Sequence, residues 1–182
     1  LPAIDRLLAL AGASLADVGA FAVSIGPGSF TGLRIGLATL KAFALDETRP
    51  LAPVSTLAAL CAAASGAPGP VVALLDARRG EVYAAAVARA GDVEPTLLPD
   101  SVFTPEELAV ALPPEASLVI GEDAEPAAAR LLALRPDLRP LAPAECAARA
   151  SRVGRLGRLI LAAGRAAPAA ALSKTTLPAR GR

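Results

Sequence analysis

At 182 residues, with 54% apolar side chains and a formal net charge of +1, the chain has material for one domain or two small lobes around a substantial core. So balanced a charge excludes a general electrostatic field that would draw nucleic acid onto the whole surface. The absence of histidine removes the commonest general base and the commonest metal ligand, and no Cys-x-x-Cys or metal-spaced carboxylate cluster replaces it.

The chain begins with a helix running to about residue 11. Leu1, Ile4, Leu7, Leu8, Leu10 and Ala11 cover about half of its circumference, opposite Asp5 and Arg6, a face wide enough to serve a core and a partner together. A turn over 12–17 precedes a strand over 19–25. The run 26–36 then reads Gly-Pro-Gly-Ser-Phe-Thr-Gly-Leu-Arg-Ile-Gly. Gly26, Gly28 and Gly32 accept backbone angles closed to other residues, and Pro27 stiffens the bend. Ser29 or Thr31 is placed to cap the following helix, whose free N–H groups suit a phosphate or carboxylate. The run fits neither the Walker A pattern nor the dinucleotide fingerprint. From the residues alone, the turn is either a structural joint or an anion site.

The helix expected over 31–45 carries Arg34 and Lys41 on one narrow stripe. Ile35, Ala38, Ala42 and Leu45 form one apolar face, and Leu33, Leu37, Leu40, Phe43 and Ala44 form another. A helix apolar nearly all round is buried on both sides. In so small a domain, a second subunit is the natural cover for one of them.

A short strand is expected over 51–54 and a helix over 56–65 with Ser55 as its cap. The uncharged stretch 50–75 is long enough to cross a bilayer, but Gly66-Ala-Pro-Gly-Pro70 breaks any helix within it. No signal peptide or membrane helix is expected. A second unit begins after this punctuation, with a strand over 71–76 and its hairpin mate over 81–89, turned by Arg78-Arg79-Gly80. Asp76 and Glu81 would make an acid/base pair in principle, but a solvated hairpin turn is the plainer reading. Tyr83 reads as a packed strand residue. Further elements are a helix over 106–112 opened by Thr104-Pro105, a strand over 117–120, a helix over 126–134 and a last helix over 143–164. The arginines at 149, 152, 155 and 158 advance by 60° a step, which suits solubility better than a phosphate track. Cys61 and Cys146 stand in Ala-rich helical contexts and read as buried free thiols in a reducing compartment. Strands alternating with helices give an α/β class.

Three blocks of sequence, AFAVSIGPGSFTGLRIGLATLKAFA, PLAPVSTLAAL and LLDARRGEVYAAAV, together resemble the TsaB family, also called YeaZ. The resemblance covers roughly residues 1–165. It implies an actin-like, ribonuclease H-like two-lobed fold of the superfamily that includes sugar kinases and Hsp70 ATPases. It implies a cytoplasmic, non-catalytic scaffold for threonylcarbamoyladenosine synthesis in tRNA, next to the anticodon. The implied partners are a TsaD-like catalytic paralogue, a second copy in its absence, a TsaE-like ATPase, and tRNA only through the complex. No membrane partner and no metal are implied, and ATP belongs to the complex. Carried over by position, Leu1, Ile4, Leu8, Leu33, Leu37, Leu40 and Phe43 are the candidates for the subunit contact. The lobes are expected at 1–66 and 67–167, the last helix packing back on the first lobe, with 168–182 a divergent, mobile tail.

Two departures limit the carry-over. Family members usually begin with strands ahead of the first helix, including an Asp-Thr or Asp-Ser turn of the nucleotide cleft. Their absence here leaves an open sheet edge and suggests a fragment or a truncated gene model. The ending ALSKTTLPARGR also lacks the Tyr-Leu-Arg-like segment usual in the family. A rival function is an ATP-dependent, kinase-like enzyme using the turn over 26–32 for phosphate, and a weaker one is a glycoprotease-like peptidase. The missing histidines and strands count against both.

Overall fold

Strand β3 (Val71–Arg78) is the axis of the larger sheet, because its apolar run is uninterrupted and both of its faces are covered. The computed structural model describes residues 1–44, 49–142, 149–168 and 171–172. In it β3 pairs antiparallel with β4 (Glu81–Val87), which pairs antiparallel with β5 (Leu98–Phe103). On its other side β3 pairs parallel with β6 (Ser117–Ile120), and β6 with the two-residue β7 (Arg139–Pro140). The order is β5-β4-β3-β6-β7. Val72 and Leu74 face α4 (Pro105–Ala111) and α5 (Glu125–Leu134), while Val71 and Ala73 face α3 (Thr56–Cys61).

Local chemistry fixes the joints of this lobe. Thr104 and Glu107 form a reciprocal capping box at the start of α4. The β3–β4 hairpin closes on Arg79 and Gly80, both at positive φ (55° and 80°), the backbone of a type I′ turn. Arg78 also lies at positive φ, where the register slips, and its amide donates to Asp76 Oδ1. Past α4, the Arg135 guanidinium donates to the carbonyls of Ala109, Leu112 and Pro113 and grips Asp137 through two 2.7 Å bonds. It thereby satisfies carbonyls that the end of α4 leaves without helical partners.

The first lobe is smaller. Among the described residues it holds two parallel strands, β1 (Phe21–Gly26) and β2 (Leu51–Ser55). Helix α2 (Phe30–Phe43) packs on the face carrying Val23 and Leu51, and α6 (Ala150–Ala162) on the face carrying Ala22, Ala52 and Val54. At the α6 crossing, a Cβ on Gly157 would lie 2.3 Å from Ala22 Cβ, so only glycine allows this approach. Helix α1 (Pro2–Ala11) ends on Gly12 in the left-handed conformation and contributes no buried residue. Ser55 caps α3, as its position predicts, accepting from the Ala58 amide at 3.2 Å.

Several boundaries differ from the sequence expectations. The α-helix starting at Thr56 stops at Cys61 and continues as one 3-10 turn, Ala62–Ala64. Strands β5 and β7 were not expected. Pro99 and Asp100 weaken the strand pattern of β5, and they are tolerated because β5 lies at the sheet edge. The last helix is described from Ala150, while 143–148, with Cys146, lie outside the described residues, as does Leu45. Within the stretch assigned to a tail, Leu172 is buried against Val23, Leu37, Ala44 and Leu51, and just ahead of that stretch the Ala167 amide donates to the Leu51 carbonyl. Residues 169–170 and 173–182 of that stretch lie outside the described residues.

Candidate functional site: an interlobe cleft and an uncovered helix pair

The glycine-rich turn sits at the mouth of a cleft between the lobes. Strand β1 ends at Gly26, which a cis peptide joins to Pro27, and both residues are buried. Ser29, and not Thr31, caps α2, its Oγ accepting from the Gly32 amide at 3.3 Å. Gly28, Ser29 and Gly32 line a hollow of about 590 Å³ with Leu33, and Thr31 lies outside its lining. At its base the Ser24 and Thr56 hydroxyls share a 2.5 Å hydrogen bond. Leu75, Ile120 and Gly121 form the second-lobe wall, with the carboxylates of Glu122 and Glu125 beside them. A further hollow of about 480 Å³ shares Gly28, Ser29, Leu75 and Glu122 and extends past Asp76, Arg78, Tyr83 and Asp123.

The shape suits a ligand at the carboxyl ends of strands, but the charge does not suit a polyphosphate. Among the described residues no lysine or arginine lines the 590 Å³ hollow, and Arg78 and Arg149 line only the hollows beside it, so an anion on the α2 N-terminus would share its hollow with two acidic residues and no cation. Sequence reasoning found the turn and missed the opposite wall. The available signal was the position of Gly121 and Glu122 directly after a strand, where α/β sheets gather their ligand contacts. The Asp76–Glu81 hairpin borders the second hollow: Asp76, its side chain 21% exposed, pairs with Arg78 at 3.4 Å, and the Arg78 side chain is largely exposed. Cys61 is buried, and burial pushes its thiol up to about 12, which leaves it unreactive. Asp100 accepts from Ser55 Oγ at 2.7 Å, but its other oxygen is buried without a partner, and desolvation raises its pKa. Among the described residues no group of histidine, cysteine, aspartate and glutamate is arranged to hold a metal ion.

The second feature is the outer surface of α1 and α2. On α2 the faces separate cleanly. Leu37 is 7% exposed against β1, and Leu33, Leu40 and Phe43 are half-buried on the same side. Ile35 (63% exposed), Ala38, Ala42 and Phe30 point outward with Arg34, whose guanidinium lies over the Phe30 ring. On α1, Ile4 and Leu8 are half-buried, whereas Leu1, Leu7 and Leu10 are exposed, Leu10 at 78%. Of the candidate contacts, Leu37 is thus a core residue of its own chain and Leu1 is free to meet a partner. Ile35, Leu7 and Leu10 join the outward set. A shallow groove of about 500 Å³ runs along α2, lined by Phe30, Arg34, Leu37, Ala38, Lys41 and Leu172. Among the described residues, no helix is long and apolar enough to cross a membrane.

Two lobes with a glycine-rich turn at their cleft define the actin-like class of α/β proteins, and solved structures agree. YeaZ from Pseudomonas aeruginosa superposes with a TM-score of 0.81 at 28% identity, covering 97% of this chain and 81% of that one. A second solved structure, described as an uncharacterized protein with similarity to peptidase YEAZ from Pseudomonas aeruginosa, gives 0.74 at 26% identity over 97% of this chain and 82% of that one. Residues 1–131 match the family model described as "TsaD: tRNA N6-adenosine threonylcarbamoyltransferase". The tRNA threonylcarbamoyladenosine biosynthesis protein TsaB of Escherichia coli is 44% identical over 46% of this chain and 37% of its own length. That of Haemophilus influenzae is 43% identical over 49% and 39%. The matched stretch is thus under two-fifths of these relatives. An uncharacterized Mycobacterium tuberculosis protein, Rv3421c, is 34% identical over 78% of this chain and 76% of its own. The chain belongs to the TsaD-type family and, within it, to the TsaB (YeaZ) group.

Proposed function

We propose that this chain is a non-catalytic scaffold in the synthesis of threonylcarbamoyladenosine in tRNA, docking a TsaD-like paralogue through the outward faces of α1 and α2. The observation that carries the reading is the uncovered apolar surface of these helices. Leu1, Leu7, Leu10, Phe30 and Ile35 are all more than half exposed, and large apolar side chains left uncovered in such number on two helices mark a protein contact. The names of the curated relatives support the pathway. In the absence of the paralogue, a second copy covers the same face. A TsaE-like ATPase and tRNA join at the level of the complex, in the cytoplasm, and ATP is handled there.

The carboxylates opposite the turn favour the scaffold over a kinase-like enzyme. The unreactive Cys61 and the lack of histidine favour it over a peptidase. Size-exclusion chromatography with light scattering tests the reading, on the chain alone and mixed with the TsaD-like protein of the same organism. A one-to-one heterodimer is expected. A folded monomer that ignores the paralogue, or saturable ATP binding abolished by Gly28→Val, would overturn it.

A further inference from the structure

The charge of this protein is segregated. Residues 149–165 hold five of its 18 basic residues, Arg149, Arg152, Arg155, Arg158 and Arg165, and none of its 17 acidic ones. The remainder therefore carries 13 basic against 17 acidic residues, so the near-neutral total conceals a cationic element on an acidic body.

Packing decides where those cations go. Leu156, Gly157 and Ile160 turn into the first lobe, which leaves Arg155 and Arg158 exposed on the opposite side of α6, whereas Arg149, just before the helix, lines a hollow on the first-lobe side with Ser24, Gly32 and Thr56. The connection between β4 and β5 comes up beside Arg155. A Cβ on Gly91 would lie 3.4 Å from Arg155 Nη2, so this guanidinium rests over the segment that carries the exposed Arg89. On the same segment Asp92 accepts from the Arg89 amide, and Glu94 pairs with Arg165. Among the described residues, Arg89, Arg149, Arg155 and Arg158 form no ion pair. Leu159 is the large apolar side chain exposed on α6. A protein interface centres on apolar and aromatic groups with charge at its rim, whereas this face has guanidinium groups at its centre. Arg155 and Arg158 lie one turn apart, about 4.5 Å along the helix axis, so both can reach one stretch of backbone.

The geometry points to the outer face of α6, with Arg89, as a direct contact for the RNA backbone, so that this subunit itself holds tRNA. The inference rests on the scaffold reading above and adds to it a second, separate surface. The contact is electrostatic and independent of sequence: arginine to phosphate, through paired N–H donors.

Fluorescence anisotropy with a labelled, unmodified tRNA transcript tests it across a series of salt concentrations. The Arg155→Glu/Arg158→Glu double variant should bind at least tenfold more weakly at moderate salt. Its log–log salt slope should fall by about 2, roughly one per phosphate contact removed. Arg130→Glu and Arg139→Glu, on α5 and β7 of the second lobe, should bind as wild type. If the charge reversal prevents folding, Arg155→Gln/Arg158→Gln should give the same loss in smaller measure. A change under twofold with native circular dichroism, or no binding of the transcript by wild type at low salt, overturns the assignment. So does unchanged RNA binding with loss of the TsaD-like partner, which would make the face an acidic-protein contact. Heterodimer formation by the same samples separates this failure from failure of the scaffold reading.

Discussion

The two lobes solve the same problem to different degrees. In the second, β3 has helices on both faces and strands on both edges, and Val71, Val72, Ala73 and Leu74 are wholly buried. In the first, two strands carry the sheet among the described residues, α1 has no buried residue, and the outer side of α2 is open. The difference teaches that the apolar content of the first lobe exceeds what its own described chain covers, and uncovered surface of that kind is used between molecules.

Substitutions on the two sides of α2 probe this contrast most sharply. Leu37→Glu places an unpaired charge in the core of the first lobe and should cost about 4 kcal/mol, seen as a large fall in unfolding midpoint. Ile35→Glu, two residues away and outward, should change stability by about 0.5 kcal/mol or less while abolishing the heterodimer on size-exclusion chromatography. Equal effects of the two on stability would remove the distinction between the faces.

The α6 crossing over the first-lobe sheet comes next. Gly157→Val forces α6 away from Ala22 and should cost about 3 kcal/mol by thermal unfolding. A wild-type midpoint would mean that the close α6–β1 approach does not hold the first lobe together. Within the self-sufficient lobe, Arg135→Ala strips three carbonyls and Asp137 of their donor and should cost about 2 kcal/mol. The same pair has a pH signature. The Arg135 guanidinium holds the Asp137 carboxyl well below the usual range, so its contribution is present above the unfolded-state pKa and is lost as pH falls through the folded one.

The smallest effect concerns Asp100, whose folded-state pKa is raised by desolvation. The sign is opposite: its contribution is full below the unfolded-state pKa and is lost as pH rises through the folded one. The stability of Asp100→Asn relative to wild type should therefore increase with pH across that window in chemical denaturation. A flat difference would mean that the carboxyl is not desolvated.

Legibility in the sequence followed the same division. Elements with strong local signals were readable: the run of β3, the Arg79-Gly80 turn, the Thr104-Pro105 start of α4 and the glycine-rich turn. Strand β5 was not, because Pro99 and Asp100 are permitted there by an edge position that only the assembled sheet defines. The faces of α2 could be listed but not assigned, since periodicity is indifferent to which side meets β1. The acidic wall of the cleft escaped because Glu122 and Glu125 meet the turn only after the lobes are packed. Burial of Leu172 against α2 depends likewise on a contact far away in sequence.

Hydrogen–deuterium exchange of the chain, alone and with the TsaD-like partner, tests the central contrast most directly. The account predicts slow exchange in β3, β4 and β6 in both states, with rapid exchange in α1 that becomes strongly protected, together with the outer turns of α2, when the partner binds. Protection of α1 in the isolated monomer, or complex formation that leaves α1 and α2 unchanged while protecting the second lobe, would contradict it.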